Sequence, residues 1–191
     1  MTAASTLPPA VEPDSAIIAE SLERPERFGA LYDRHHATVF RYVRSRIGDD
    51  ALDDVVADTF VEAFRTRERF RTALGDSCTP WLLGIATNMV ARRRGAEQRW
   101  LRDLRLTRDR DALPDEADDT DARVTANSLA PWLTAALAQL RRRDRDALLL
   151  HVAGDLSIDE VAHALEIPAG TVKSRLARAR RILAAHLEER R

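Results

Sequence analysis

The chain has one cysteine, Cys78, in 191 residues. It can form no disulfide within itself, and a cysteine-based metal cluster is not expected. Cys78 reads instead as a small residue near a loop. Lysine is as scarce: of the 30 basic residues only Lys173 is not arginine. With alanine so abundant, this bias reads as a trace of a GC-rich genome, which weakens the message of any one arginine. No apolar run approaches the roughly 20 residues of a membrane span, and the first residues lack the basic-then-apolar pattern of an export signal. A cytoplasmic protein with no membrane insertion is expected. Alternating apolar and polar residues, the mark of strands, are missing too. So is any convergent set of His, Asp, Glu or Cys. His35 and His36 are adjacent and would point to different sides of a helix. Neither an enzyme, a metal site nor a cofactor is expected.

What the chain does have is charge, and it is segregated. Charged residues make up 32% of it and hydrophobic ones 45%, yet the net charge is only −1. Arginine crowds residues 92–110 and 173–191, while acid crowds 49–62 and 109–121. Separate blocks of opposite sign suit different surfaces for different partners, at least one of them polyanionic.

The pattern along the chain divides it into four parts. Residues 1–15, rich in Ala, Pro, Thr and Ser, read as a disordered tail. Residues 16–106 are helical in period, with Phe28, Leu31, Tyr32, Val39, Phe40, Val43 and Ile47 recurring at threes and fours and Gly48 as a helix stop. Residues 107–127 are acidic, broken by Pro114, and read as a flexible, self-repelling linker. Residues 128–191 return to helix, with Gly154 closing one helix ahead of a final pair. The fold class is all-α: two small helical domains joined by the acidic linker.

Three segments carry chemistry. From Ser157 to Arg181 a short helix, a turn and a basic helix follow one another. Ser157 and Glu160 form a capping box. Ile158, Val161, Ala162 and Leu165 give the first helix its apolar face, and Pro168 and Gly170 punctuate the turn. Val172, Leu176, Ala179 and Leu183 then bury one side of the second helix, leaving Lys173, Ser174, Ala177, Arg178 and Arg181 on or beside the other. This is the helix-turn-helix plan for entering a DNA major groove.

The second segment is acidic. Asp50, Asp54, Asp58 and Glu62 stand at successive i, i+4 spacings opposite a stripe of Leu52, Val55, Val56, Phe60, Ala63 and Phe64. Like charges at that spacing repel by a few tenths of a kcal/mol each in a lone helix, and no bases interleave. Val61 sits among the carboxylates, where a merely solvated face favours a polar residue. The face suits docking to a basic partner. Carboxylates displayed outward on one helix do not converge as a metal or acid–base site requires.

The third segment starts apolar at Pro80 and Trp81 and ends basic. Trp81, Leu82, Ile85, Met89 and Val90 are its core candidates. Asn88 offers a donor and an acceptor to a base edge. Arg92, Arg93, Arg94 and Arg99 would neutralise phosphates.

In this order, the motifs Phe28-Gly-Ala-Leu-Tyr, Asp53-Asp-Val-Val-Ala-Asp-Thr-Phe, Trp81-Leu-Leu-Gly-Ile-Ala-Thr-Asn and Ser157 through Arg181 resemble a bacterial RNA polymerase sigma factor of the extracytoplasmic-function (ECF) type. The resemblance covers residues 25–105 and 130–187. It implies a region 2 that binds and melts the −10 element and a region 4 that binds the −35 element, both delivered by core RNA polymerase. Asp50, Asp53, Asp54, Asp58, Val61 and Glu62 would then dock on the β′ clamp helices, and region 4 would meet the β flap. Asn88, Arg92, Arg93, Arg94 and Arg99 would serve the −10 element. Thr171, Lys173, Ser174 and Ala177 would face −35 bases, with Arg175, Arg178 and Arg181 on phosphate. The acidic linker would occupy the RNA exit path, and an anti-sigma factor would be a further partner. Two positions depart from the family: Arg92 stands where aspartate is common, and Ala177 where some members carry a large aromatic. The extra C-terminal domain of some subgroups is not expected. The alternative is a stand-alone helix-turn-helix regulator, which needs a dimerisation surface and a palindromic site. The acidic helix and the segment around Trp81 fit it poorly.

Overall fold

The computed structural model describes residues 12–71, 75–108 and 131–188. Regular structure among them is helical, with no strand. The α-helices are α1 (Asp14–Glu23), α2 (Gly29–Arg44), α3 (Leu52–Thr66), α4 (Thr79–Arg108), α5 (Pro131–Ala138), α6 (Arg142–Val152), α7 (Ile158–Ala164) and α8 (Ala169–Glu188). Helices α1–α4 form the first region and α5–α8 the second. The expected N-terminal tail (but for its last few residues) and almost all of the acidic linker lie outside the described residues.

Each helix buries the stripe that its period marks. Leu31, Val39, Tyr42 and Val43 of α2 pack against Leu52, Val55, Val56, Phe60 and Ala63 of α3 and against Leu82, Leu83, Ala86 and Val90 of α4. In the second region Ala147, Leu148, Leu149 and Leu150 of α6 meet Val161 of α7 and Val172, Leu176 and Ala179 of α8. Burying a Leu or Val side chain fully is worth roughly 1.5–3 kcal/mol. These side chains form one continuous apolar cluster that includes residues from both regions.

Polar groups finish the ends. Arg145, buried in α6, donates to the carbonyls of Leu137 and Leu140 at 2.9 Å each, satisfying the C-terminal end of α5. Gly48 does not stop α2 in a left-handed turn: the helix ends at Arg44, and Gly48 is extended at φ −71°. Among the described residues the left-handed ones other than glycine are Asp155 and Glu166, with φ of 54° and 52°. Gly154 is used for close approach instead, since a Cβ there would lie 2.5 Å from the Leu150 carbonyl oxygen.

The first region is tied by one buried carboxylate. Asp14, at the start of α1, accepts from Arg34 Nη1 at 2.5 Å and from the Cys78 backbone N–H at 2.8 Å, and meets His35 Nε2 at 2.7 Å. It thereby joins α1 to α2 and to the start of α4. Burial alone would raise its pKa, but the Cys78 N–H, the neighbouring His35 and the Arg34 guanidinium outweigh that and hold it below the ordinary carboxylate value. Burial and the adjacent Asp14 push the Cys78 thiol far up. Because the folded pKa of Asp14 is depressed, its contribution is present above the unfolded value and lost as pH falls through the folded one. Asp14→Ala should lower the unfolding free energy by about 3 kcal/mol at neutral pH. In chemical denaturation the gap between variant and native protein should narrow below about pH 4.

Candidate nucleic-acid interface

The helix-turn-helix is built by local chemistry. The Ser157 hydroxyl accepts from the Glu160 N–H at 3.3 Å, and the Glu160 carboxylate accepts from the Ser157 N–H at 2.8 Å. Both halves of the capping box are therefore made. After α7 the chain turns left-handed at Glu166, with the Ile167 N–H bonded to the Ala162 carbonyl at 3.0 Å. The Pro168 carbonyl then accepts from the N–H groups of Thr171 and Val172, opening α8. Gly170 lies within the first turn of α8, and a Cβ on it would meet nothing within 4 Å.

Helix α8 divides as its period predicts. Val172, Leu176 and Ala179 are buried, Ile182 and Leu183 half-buried. Lys173, Ser174, Ala177, Arg178 and Arg181 are exposed, while Thr171 and Arg175 are half-buried. The Ser174 hydroxyl donates to the Gly170 carbonyl at 3.0 Å, which leaves its oxygen free to accept. Arg178 Nη1 is held by both oxygens of buried Asp144 at 3.0 and 3.3 Å, a restraint from α6 that aims the guanidinium.

In the first region two surfaces of opposite sign adjoin. Asp50 precedes α3, and Asp53, Asp54 and Asp58 are exposed along it. Val61 is 56% exposed beside half-buried Glu62. Across a groove of about 300 Å³ Asp54, Asp58, Val61 and Glu62 face Met89, Arg92 and Arg93 of α4. Asn88, Arg92, Arg93 and Arg99 are exposed. Arg94 is half-buried and donates to the Arg46 carbonyl. Trp81 is partly covered by Phe70, with ring centroids 5.2 Å apart.

A larger cleft of about 810 Å³ lies between the regions. Trp81, Ile85, Asn88, Met89 and Arg92 form one wall, and Ala162 to Pro168, the turn of the helix-turn-helix, form the other. Arg69 and Arg71 also line it, and the sequence reading had not singled them out. Arg69 ends a short 3-10 turn (Arg67–Arg69) and Arg71 follows just after it, a stretch too short to show a period.

The comparisons with known proteins bear directly on this arrangement. Residues 31–100 match the family model of Sigma-70 region 2, and residues 131–183 match that of Sigma-70, region 4. The ECF RNA polymerase sigma factor BldN of Streptomyces coelicolor is 31% identical over 187 residues, covering 95% of this chain and 70% of the relative. The chain belongs to the ECF sigma factors of the sigma-70 family. The sigma factor is also 32% identical to ECF RNA polymerase sigma factor SigL of Mycobacterium tuberculosis over 164 residues, 84% of this chain and 88% of that one. Among solved structures, CnrH in complex with the cytosolic domain of CnrY superposes with a TM-score of 0.62 at 25% identity, covering 92% of this chain and 97% of that chain. Region 2 is thus α2–α4 with α1 braced against it, and region 4 is α5–α8. No helix among the described residues is long and apolar enough to cross a membrane.

Because the capping box is the local start of the helix-turn-helix, Ser157→Ala should cost about 1 kcal/mol, read as a lower denaturation midpoint.

Proposed function

We propose that this sigma factor docks on core RNA polymerase through α3 and reads a promoter at two points, through α4 and through α8. The observation that supports it most is the side-by-side display on region 2. An exposed acidic face carrying the unsatisfied apolar Val61 adjoins an arginine face carrying Asn88. One face suits the polymerase β′ clamp helices, the other a polyanion that must be opened. In this reading Asp50, Asp53, Asp54, Asp58 and Glu62 supply complementary charge and Val61 an apolar anchor.

Asn88 takes a base edge of the −10 element, and Arg92, Arg93, Arg94 and Arg99 take its phosphates. Lys173, Ser174, Ala177 and Thr171 face the −35 bases, while Arg175, Arg178 and Arg181 hold the backbone. The small side chain of Ala177 allows close approach and gives little contact to a thymine methyl. Each contact alone is weak, and attachment to polymerase raises the effective concentration of the second once the first is made. The protein has no catalytic step of its own here; the chemistry belongs to polymerase, in the cytoplasm. In this reading an anti-sigma factor is a further partner.

In transcription with purified core polymerase and a promoter library, the protein should direct initiation from promoters sharing one −35 and one −10 sequence. Binding to a palindrome without polymerase, together with no specific transcript, would sink this reading. Asp54→Arg combined with Asp58→Arg should weaken core binding by about 100-fold or more, as like charges across an interface cost several kcal/mol. The doubly substituted protein should keep its helical circular dichroism. Lys173→Ala should relax preference at one −35 base pair, a loss of about 1–3 kcal/mol confined to that pair.

A further inference from the structure

The cations of α8 are not alike. Arg178 is paired with a carboxylate, whereas among the described residues no acid pairs with Lys173, Arg175, Arg180 or Arg181. The carboxylate comes from an unexpected place. Asp144 is 1% exposed in the first turn of α6, next to the exposed Arg142 and Arg143. It pairs with neither of them and reaches instead to a residue 34 positions away. Its own position is fixed. Its N–H donates to the Arg141 carbonyl at 2.9 Å, and the adjoining Arg145 is tied to the Leu137 and Leu140 carbonyls. The Arg178 side chain, by contrast, is 43% exposed. An ion pair between two exposed side chains drifts in water and holds little. Here the acid cannot leave, so the arginine is the partner that is held.

The way it is held matters. Both contacts fall on one nitrogen: Nη1 donates to Oδ1 at 3.0 Å and to Oδ2 at 3.3 Å. Among the described residues Nε and Nη2 make no hydrogen bond. Together they form the side-on edge of the guanidinium, a fork that fits two oxygens of one phosphate. Leu176 and Ala179 on either side are buried, so the backbone that carries the fork is anchored in the core. Arg178 also stands at i+4 from Ser174, in the row of α8 turned to solvent. Phosphate contacts fix the register of a protein on the duplex, and base contacts then specify the sequence. An arginine free to swing finds a phosphate in any register and supports binding to any sequence. A held one accepts a phosphate only where α8 is seated in one way. The acid behind it also weakens the pull of Arg178 on DNA at large.

We infer that Asp144 is a positioning residue for −35 recognition: it fixes the Nε–Nη2 edge of Arg178 as a register peg, lowering non-specific attraction and raising sequence discrimination. Asp144 stays buried and acts only through Arg178. Lys173 and Ser174 then meet their bases because the peg has set the seat of the helix. This rests on the proposed reading of the −35 element by α8.

The test uses holoenzyme assembled from core polymerase and the full chain, with two DNAs. One is a promoter selected by the native protein, and the other is the same promoter with its −35 element scrambled. Asp144→Leu removes both the charge and the acceptor, while Asp144→Asn keeps the shape and one acceptor. Asp144→Leu should weaken binding to the intact promoter about tenfold, and binding to the scrambled one should hold or strengthen. Asp144→Asn should shift both in the same directions by less. On scrambled DNA the fall of log affinity with log salt should steepen by up to about one, because Arg178 is released as a full charge. Arg175→Ala, which removes a cation with no acid partner, should weaken both DNAs alike and make that fall shallower. Circular dichroism and denaturation midpoints report the folding of each variant. Equal losses on both DNAs in the two Asp144 variants would assign Asp144 to the fold alone and overturn the inference. So would native discrimination that both variants keep in full. A native holoenzyme that does not tell the two DNAs apart would instead defeat the proposed function, and the inference with it.

Discussion

Packing against α4 is the constraint on which the rest of this molecule depends. Leu82, Leu83, Ala86 and Val90 are fully buried along it. Helices α2 and α3 cover it from one side and α7 reaches it from another. With those positions committed to the core, Asn88, Arg92 and Arg93 are left for solvent or for DNA. The rigid inner face of the helix is what gives its outer residues a fixed bearing. The same helix carries Gly84, so the element proposed to read the −10 bases also packs against region 4.

Much of this was legible locally. The apolar stripes of α3 and α8 follow from a period of 3.6, and the capping box at Ser157 follows from spacing alone. The exposure of Val61 among carboxylates was readable because burial of its neighbours at Val55, Val56 and Phe60 uses up the other face. Gly154 does close α6, its N–H bonding the Leu149 carbonyl at 3.0 Å, but the reason it is glycine was hidden. Gly154 lies next to a left-handed position, but Asp155 takes that conformation, and Gly154 is small because Leu83 and the α6 backbone crowd it. The role of Gly84 was equally hidden, because nothing within its own helix shows what will press on it.

The buried charges were the least readable. Asp144 and Asp146 lie in a run of arginines, and nothing in that local pattern marks either for burial. On a helix, residues two apart point to different sides. The structure uses that divergence: Asp144 turns to Arg178 of α8, and Asp146 turns to Arg46, 100 residues away. One acid aims an exposed arginine of α8 while its near neighbour ties the two regions together. Partners so distant in sequence are set by how whole helices pack. The Asp14 hub is another case, because its Arg34, His35 and Cys78 contacts converge only after α1, α2 and α4 have assembled.

Cys78 adds a consequence of its own. Its side chain is fully buried and its thiol is pushed far above the usual range, so it stays protonated. Oxidation and disulfide exchange proceed through the exposed thiolate. In the folded protein the chain's one thiol is thus shielded from oxidation and exchange, and it becomes reactive only where α1, α2 and the start of α4 come apart.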